Sequence, residues 1–195
     1  MSAVLASTQT IGRFELIREL GRGAQGTVHL ARDPHLDRLV AIKALRLSGD
    51  TKDRAQRMSL LMQEARLVSK LHHPNIVTLF DAVEHQGAPC LVFEYVEGRP
   101  LSDVVVASER LPATQIVDIA IGILRGISFA HGKKVLHRDI KPANVMLTAA
   151  GTPRVMDFGI ACEASAAPLS EKVLYGTPAY ICLLYTSDAA DDTPC

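Results

Sequence analysis

Val135-Leu136-His137-Arg138-Asp139-Ile140-Lys141-Pro142-Ala143-Asn144-Val145-Met146, followed by Val155-Met156-Asp157-Phe158-Gly159, is the stretch on which the reading of this 195-residue chain turns. Taken alone, Asp157-Phe158-Gly159 reads as an ordinary strand-to-turn ending. The motifs that precede it, and their order, give it another meaning.

Nearest to the N-terminus, Phe14 to Leu20 reads as a strand, Gly21-Arg22-Gly23-Ala24-Gln25-Gly26 as a glycine cluster, and Thr27 to Arg32 and Leu39 to Leu45 as two further strands. A dinucleotide site would place a helix after such glycines. Here Thr27-Val28-His29-Leu30-Ala31 is β-branched and alternating, so the cluster is the tip of a hairpin, either an ordinary turn or a cover over phosphates that needs no Cβ. Lys43, in Val40-Ala41-Ile42-Lys43, lies inside an apolar strand on the face of Leu39, Ala41 and Leu45. A buried ammonium needs an anionic partner. Glu64 is the candidate, on a helix from Asp53 to Leu71 whose apolar residues Leu60, Leu67, Val68 and Leu71 recur at helical spacing. The alternative is that Lys43 reaches solvent and Glu64 merely edges that face. His73-Pro74-Asn75 stops the helix, Ile76 to Val83 and Cys90 to Tyr95 are two more strands, and Glu97 to Pro100 is a linker. Beyond Pro112 the period changes: Ile116, Ile119, Ala120, Ile123, Leu124 and Ile127 form the stripe of a long core-facing helix.

Composition narrows the function classes. Hydrophobic residues make up 48% and charged residues 22%, with 21 acids against 21 bases, which describes a globular protein of about one domain. No basic block supports nucleic-acid binding through phosphate neutralisation. Cys90, Cys162, Cys182 and Cys195 form no metal-ligand or redox spacing, and no basic region precedes an apolar run at the N-terminus, so a reducing cytoplasm is expected. The apolar stretch from Ile116 to Ala130 carries Asp118 and Arg125 and falls short of a membrane span. Cytoplasmic localisation and the absence of a membrane or nucleic-acid partner are therefore expected of this piece, with an anchor possible in a longer parent.

With these motifs assembled, the chain resembles the eukaryotic-like serine/threonine protein kinases, in particular their bacterial members. The resemblance rests on GxGxxGxV at Gly21 to Val28, VAIK at Val40 to Lys43, Glu64, HPNIV at His73 to Val77, HRDIKPAN at His137 to Asn144, DFG at Asp157 to Gly159, and Gly176-Thr177-Pro178-Ala179-Tyr180, and covers about residues 12 to 181. It implies an α+β fold of two lobes: a flexible N-terminus at 1-11, a complete strand-rich N-lobe at 12-96, and a partial helical C-lobe at 97-181. It also implies a protein substrate with Ser or Thr, and ATP and Mg²⁺ as cofactors. Asp139 would orient the substrate hydroxyl and take its proton, and Lys141 would steady the γ-phosphate. Asn144 and Asp157 would hold Mg²⁺ with hard oxygen ligands. Lys43, held by Glu64, would pair with the α and β phosphates beneath a cover formed by Leu20, Gly21, Arg22, Gly23, Ala24, Gln25, Gly26 and Thr27. Adenine would sit between Val28 and Ala41 above and Met146 below, against the backbone of Glu94 to Val96, with Phe93 at the rear. Val68, Leu79, Phe158 and His137 match a stack that aligns in active kinases, although each is more simply a core residue and the stack is read as packing. Arg138 resembles the arginine neutralised by a phosphate on the activation segment, for which Ser165 and Ser170 are the expected sites, while Thr177 is expected to contact Asp139.

The resemblance stops after Tyr180-Ile181. The string from Cys182 to Cys195 carries Asp188, Asp191 and Asp192 and no base, which leaves residues 1-181 with a net charge of +3. It looks like translated sequencing-adaptor read-through, the alternative being a naturally diverged tail, so residues 182-195 are expected to be non-native. Trp is absent, in keeping with the loss of the helix in which the family usually carries one. A kinase cut short there is expected to be inactive alone, and a non-catalytic nucleotide-binding fragment is the alternative reading.

Overall fold

The computed structural model describes residues 9-23, 25-47, 51-107 and 111-158. Alternating apolar residues build a six-stranded antiparallel sheet from β1 (Thr10–Ile11), β2 (Phe14–Gly23), β3 (Gly26–Asp33), β4 (Arg38–Leu45), β5 (Leu79–His85) and β6 (Ala88–Glu94), in the order β1-β2-β3-β4-β6-β5. Period-two alternation divides β4 between two environments. Val40 and Ile42 are fully buried with Phe14, Ala31, Cys90 and Val92 on one face. Ala41, Lys43 and Leu45 point the other way, toward a helix and the rest of the chain. The glycine cluster is a hairpin tip, as its sequence requires, with Gly23 paired to Gly26.

The helix α1 (Thr51–Val68) packs against this second face, but on a line different from the expected one. Leu61, Ala65 and Val68 are buried, whereas Leu67 is 50% exposed. Apolar residues lie on several sides of α1, so spacing alone admits two faces, and contact with Leu45, Leu79 and Leu91 selects Leu61 and Ala65. The strand expected from Ile76 begins only at Leu79, because residues 75-78 are committed elsewhere: Val155 donates to Asn75 O at 2.8 Å and Val77 to Val155 O at 2.8 Å.

The second part of the fold holds a three-stranded sheet of β7 (Gly98–Pro100), β8 (Val145–Thr148) and β9 (Pro153–Val155), with helices α2 (Leu101–Ala107) and α3 (Ala113–Gly132). The expected linker at Glu97 to Pro100 thus contributes β7, and Gly98 approaches Leu147 so closely that a Cβ would lie 2.4 Å from its carbonyl oxygen. α3 buries Ile119, Gly122, Gly126 and Ala130, while Ile116 is 52% and Leu124 65% exposed. The expected stripe holds at Ile119, Ile123 and Ile127 and is corrected at Ile116 and Leu124, because the face carrying the glycines sits on Asn75 and Pro153. The stretch expected to fall short of a membrane span extends as α3 over 20 residues, long and apolar enough to cross one by length and composition, and its Gly122 and Gly126 lie against Pro153 and Asn75. Its end has the two bonds of a Schellman motif, Lys134 N to His131 O at 2.8 Å and Val135 N to Ala130 O at 3.0 Å, with Lys134 at φ 61°. That turn delivers the chain to His137.

Candidate active site

The two parts enclose a cleft of about 360 Å³. Leu20, Gly21, Val28 and Ala41 roof it, Phe93 and Val77 close the rear, Glu94, Tyr95 and Val96 form one side, and Met146 and Met156 form the floor. Lys43 and Asp157 also line it. An apolar slot with a few polar groups converging on it is the usual form of a small-molecule site. Val77 and Met156 had no role expected from sequence, since an apolar residue carries no signal of which cavity it will face.

The hairpin tip separates two roles for glycine. A Cβ on Gly26, at φ 148°, would fall 2.0 Å from the carbonyl oxygen of Ala44, so this glycine is required by the close approach of β4. At Gly21 and Gly23 a Cβ would meet nothing within 4 Å. These two positions therefore leave open space beside the backbone. Arg22 turns away to Glu19, with Nη2 to Oε2 at 2.6 Å, and Thr27 is buried in β3. Ala24 lies outside the described residues.

Lys43 is 8% exposed, as its apolar strand requires, and donates to Asp157 Oδ1 at 2.9 Å and to Gln25 Oε1 at 3.2 Å. The expected partner was Glu64, and this is a correction. Glu64 lies outside the main cleft, lining a smaller cavity of about 80 Å³ with Arg138 and Phe158, and its Oε1 is 3.9 Å from Arg138 Nη1. A shielded ammonium takes the carboxylate within its reach, and with α1 in this position Asp157 fills that place.

Below the cleft the sequence-predicted residues converge. Lys141 Nζ is 2.7 Å from Asp139 Oδ2, and Asn144 Nδ2 donates to Asp139 O at 2.8 Å and to Oδ2 at 3.1 Å. A single 3₁₀ turn at Pro142–Asn144 brings Asn144 back over Asp139. His137, 2% exposed, accepts the Asp139 N–H at Nδ1 (3.2 Å), which leaves Nε2 to carry the proton and donate to Met156 O at 2.8 Å. Burial lowers the His137 pKa, outweighing the backbone bond to Met156 and the nearby Asp157 and Asp139, so the ring is neutral. It packs on Phe158 at 4.7 Å between ring centroids. Arg138 and Asp157 hold left-handed backbone angles, φ 66° and 61°, a strain of roughly 1–3 kcal/mol each of the kind found at functional sites. The His137–Met156 bond lies between them and braces both.

Among the described residues no cluster of three His, Cys, Asp or Glu forms a closed metal cage. Asn144 and Asp157 instead offer an amide and a carboxylate oxygen. That set suits a hard cation completing its shell with phosphate oxygens and water. Gly159, Ser165, Ser170, Thr177 and the segment from Cys182 lie outside the described residues.

The sequence matches the protein kinase domain family over residues 14–182. It is 42% identical over 155 residues to the serine/threonine-protein kinase PksC of Streptomyces coelicolor, covering 75% of this chain and 28% of that one. To PrkC of Bacillus subtilis, also a serine/threonine-protein kinase, it is 36% identical over 167 residues, covering 86% of this chain and 26% of that one. The fold superposes on the PknI kinase domain of Mycobacterium tuberculosis with a TM-score of 0.69 at 29% identity, covering 80% of this chain and 62% of that domain. The chain thus spans about a quarter of the length of the curated relatives it matches.

Proposed function

The chain belongs to the protein kinase family, on its serine/threonine side, and we propose that its cleft binds Mg-ATP and that the protein it comes from passes the γ-phosphoryl group to Ser or Thr hydroxyls of other proteins. The observation that carries this reading is the meeting of Lys43 and Asp157 at a cleft one side of which is formed by residues 94–96. In this reading residues 12-96 and 97-181 act as the two lobes, in a cytoplasmic protein.

Leu20, Val28, Ala41 and Met146 sandwich a flat base, and Glu94 to Val96 supply backbone donors and acceptors to its edge. Gly21 and Gly23 leave room for phosphates. Lys43 exchanges part of its contact with Asp157 for phosphate oxygens. A magnesium ion, when bound by Asn144 and Asp157, neutralises charge on the triphosphate. Asp139, its carboxylate fixed by Lys141 and Asn144, orients the substrate hydroxyl and accepts its proton as the oxygen attacks. Lys141 is then placed to follow the transferred group with its positive charge.

Nucleotide binding without transfer is a second reading, favoured by the exposure of Ile116 and Leu124 on α3, which leaves part of the catalytic segment's support facing solvent. One experiment separates the two. Purified protein is titrated with mant-ATP and Mg²⁺, then given generic Ser/Thr peptides and radiolabelled ATP. Transfer that disappears in Asp139→Asn while binding remains supports the kinase reading. Binding with no transfer supports the second, and no binding overturns both.

A further inference from the structure

Arg154 stands in β9, three residues before Asp157, and does not line the cleft. Its Nη2 donates to Ile76 O at 3.0 Å and to Glu94 Oε2. Glu94 is held from a second direction as well: its N–H donates to Thr78 O at 2.9 Å, and its Oε2 accepts from Thr78 N at 3.3 Å. The residue that opens the cleft's backbone side is therefore fixed through both main chain and side chain. The pair is well shielded, with 18% of the Arg154 side chain and 29% of the Glu94 side chain exposed, so it is weakened less by water than a surface pair. Arg154 Nε is buried without a hydrogen-bond partner. What keeps the side chain in this pose is thus the pair of bonds at Nη2, and not full satisfaction of its donors.

The other attachments of β9 show what this clamp connects. Val155 is bonded to Asn75 and Val77, and Met156 O to His137, so β9 is locked to the segment that carries Asp139 and leads to Asp157. Arg154 is the point at which this locked unit grips the backbone proposed to read adenine. Loss of that grip leaves Glu94 tied to this unit only through its bonds to Thr78, and small displacements of positioning groups weaken recognition disproportionately.

We propose that Arg154 is a positioning residue: through Glu94 it sets the orientation of the 94–96 backbone, and so the affinity for the base, without touching the nucleotide. The proposal rests on the nucleotide-binding reading above. Its test uses the purified chain, with mant-ATP plus Mg²⁺ titrated directly and adenosine titrated as a competitor. Arg154→Met is expected to weaken both ligands by the same factor, roughly tenfold. Glu94→Gln should act in the same direction, the double variant should be no worse than Arg154→Met, and Arg154→Lys should recover part of the loss. Lys43→Met serves as contrast, since it acts on phosphates and should weaken mant-ATP more than adenosine. A merely structural role would lower the melting temperature and leave the affinity of the folded protein unchanged. Variants that bind both ligands within twofold of wild type would therefore overturn the clamp alone. If Arg154→Met fails to fold, the near-isosteric Glu94→Gln decides the matter by the same criterion. Wild-type protein that binds neither ligand would overturn the nucleotide reading and the clamp with it.

Discussion

Lys43 and Asp157 neutralise each other at the end of the cleft, so removing either leaves the other partly shielded from water without its partner. Lys43→Met is expected to lower turnover about 10²- to 10³-fold, the scale of losing one fixed donor to developing charge. A peptide-phosphorylation assay checks this, and wild-type turnover by the variant would refute the role. His137 makes a prediction of a different kind. Its pKa in the folded protein is depressed by burial below the ordinary 6.5, so above that value neither folded nor unfolded chain binds the proton and the residue contributes no slope. As pH falls below about 6.5 the unfolded chain takes up the proton first, and stability falls until the pH passes the lower folded pKa. Urea midpoints at several pH values should therefore drop more steeply below pH 6.5 for the wild type than for His137→Gln. Equal slopes would mean that the buried ring is not the cause.

The hairpin tip and α3 show how much of an element its sequence discloses. The turn after β2 was legible because alternation resumes at Thr27, and the need for glycine at position 26 follows once β4 lies alongside. Gly26→Ala should cost several kcal/mol, since the Cβ would meet backbone and not a movable side chain, and the cleft's roof should be lost with it. α3 was legible as a helix, and its orientation in part, through Ile119, Ile123 and Ile127. A hydrophobic pattern counts Ile116 and Leu124, while the buried line runs through Gly122 and Gly126, which give no hydrophobic signal. A Cβ at Gly122 would sit 2.5 Å from Pro153 Cγ and 3.1 Å from Asn75 Nδ2. Gly122→Ala is therefore expected to destabilise by about 1–3 kcal/mol through overpacking, despite the gain of about 1 kcal/mol in helix propensity. A higher melting temperature for the variant would show that the contact yields easily.

Across the molecule, the order of motifs along the chain carried the family resemblance that implied the two-lobed fold and the site residues, and the structure brings Asp139, Lys141 and Asn144 together. The choice of Asp157 over Glu64 as partner of Lys43 did not follow, since it depends on where α1 rests against β4, and Arg154 went unnoticed as one basic residue in a short strand. The exposed apolar residues of α3 and α2, among them Val106 at 87%, predict measurable self-association at high concentration. Leu124→Gln with Val106→Gln should reduce it in sedimentation runs while leaving the melting temperature unchanged, and an unaltered profile would place the contact elsewhere. A last consequence follows from the short ladder formed by Asn75, Val77 and Val155, which links the segment entering the large sheet to the small one. If the cleft opens and shuts by tilting its two halves, this ladder is the fulcrum, where displacement is least. The amide hydrogens of Val77 and Val155 should then trade for deuterium only when the whole fold comes apart, while those of the glycine hairpin exchange with every swing.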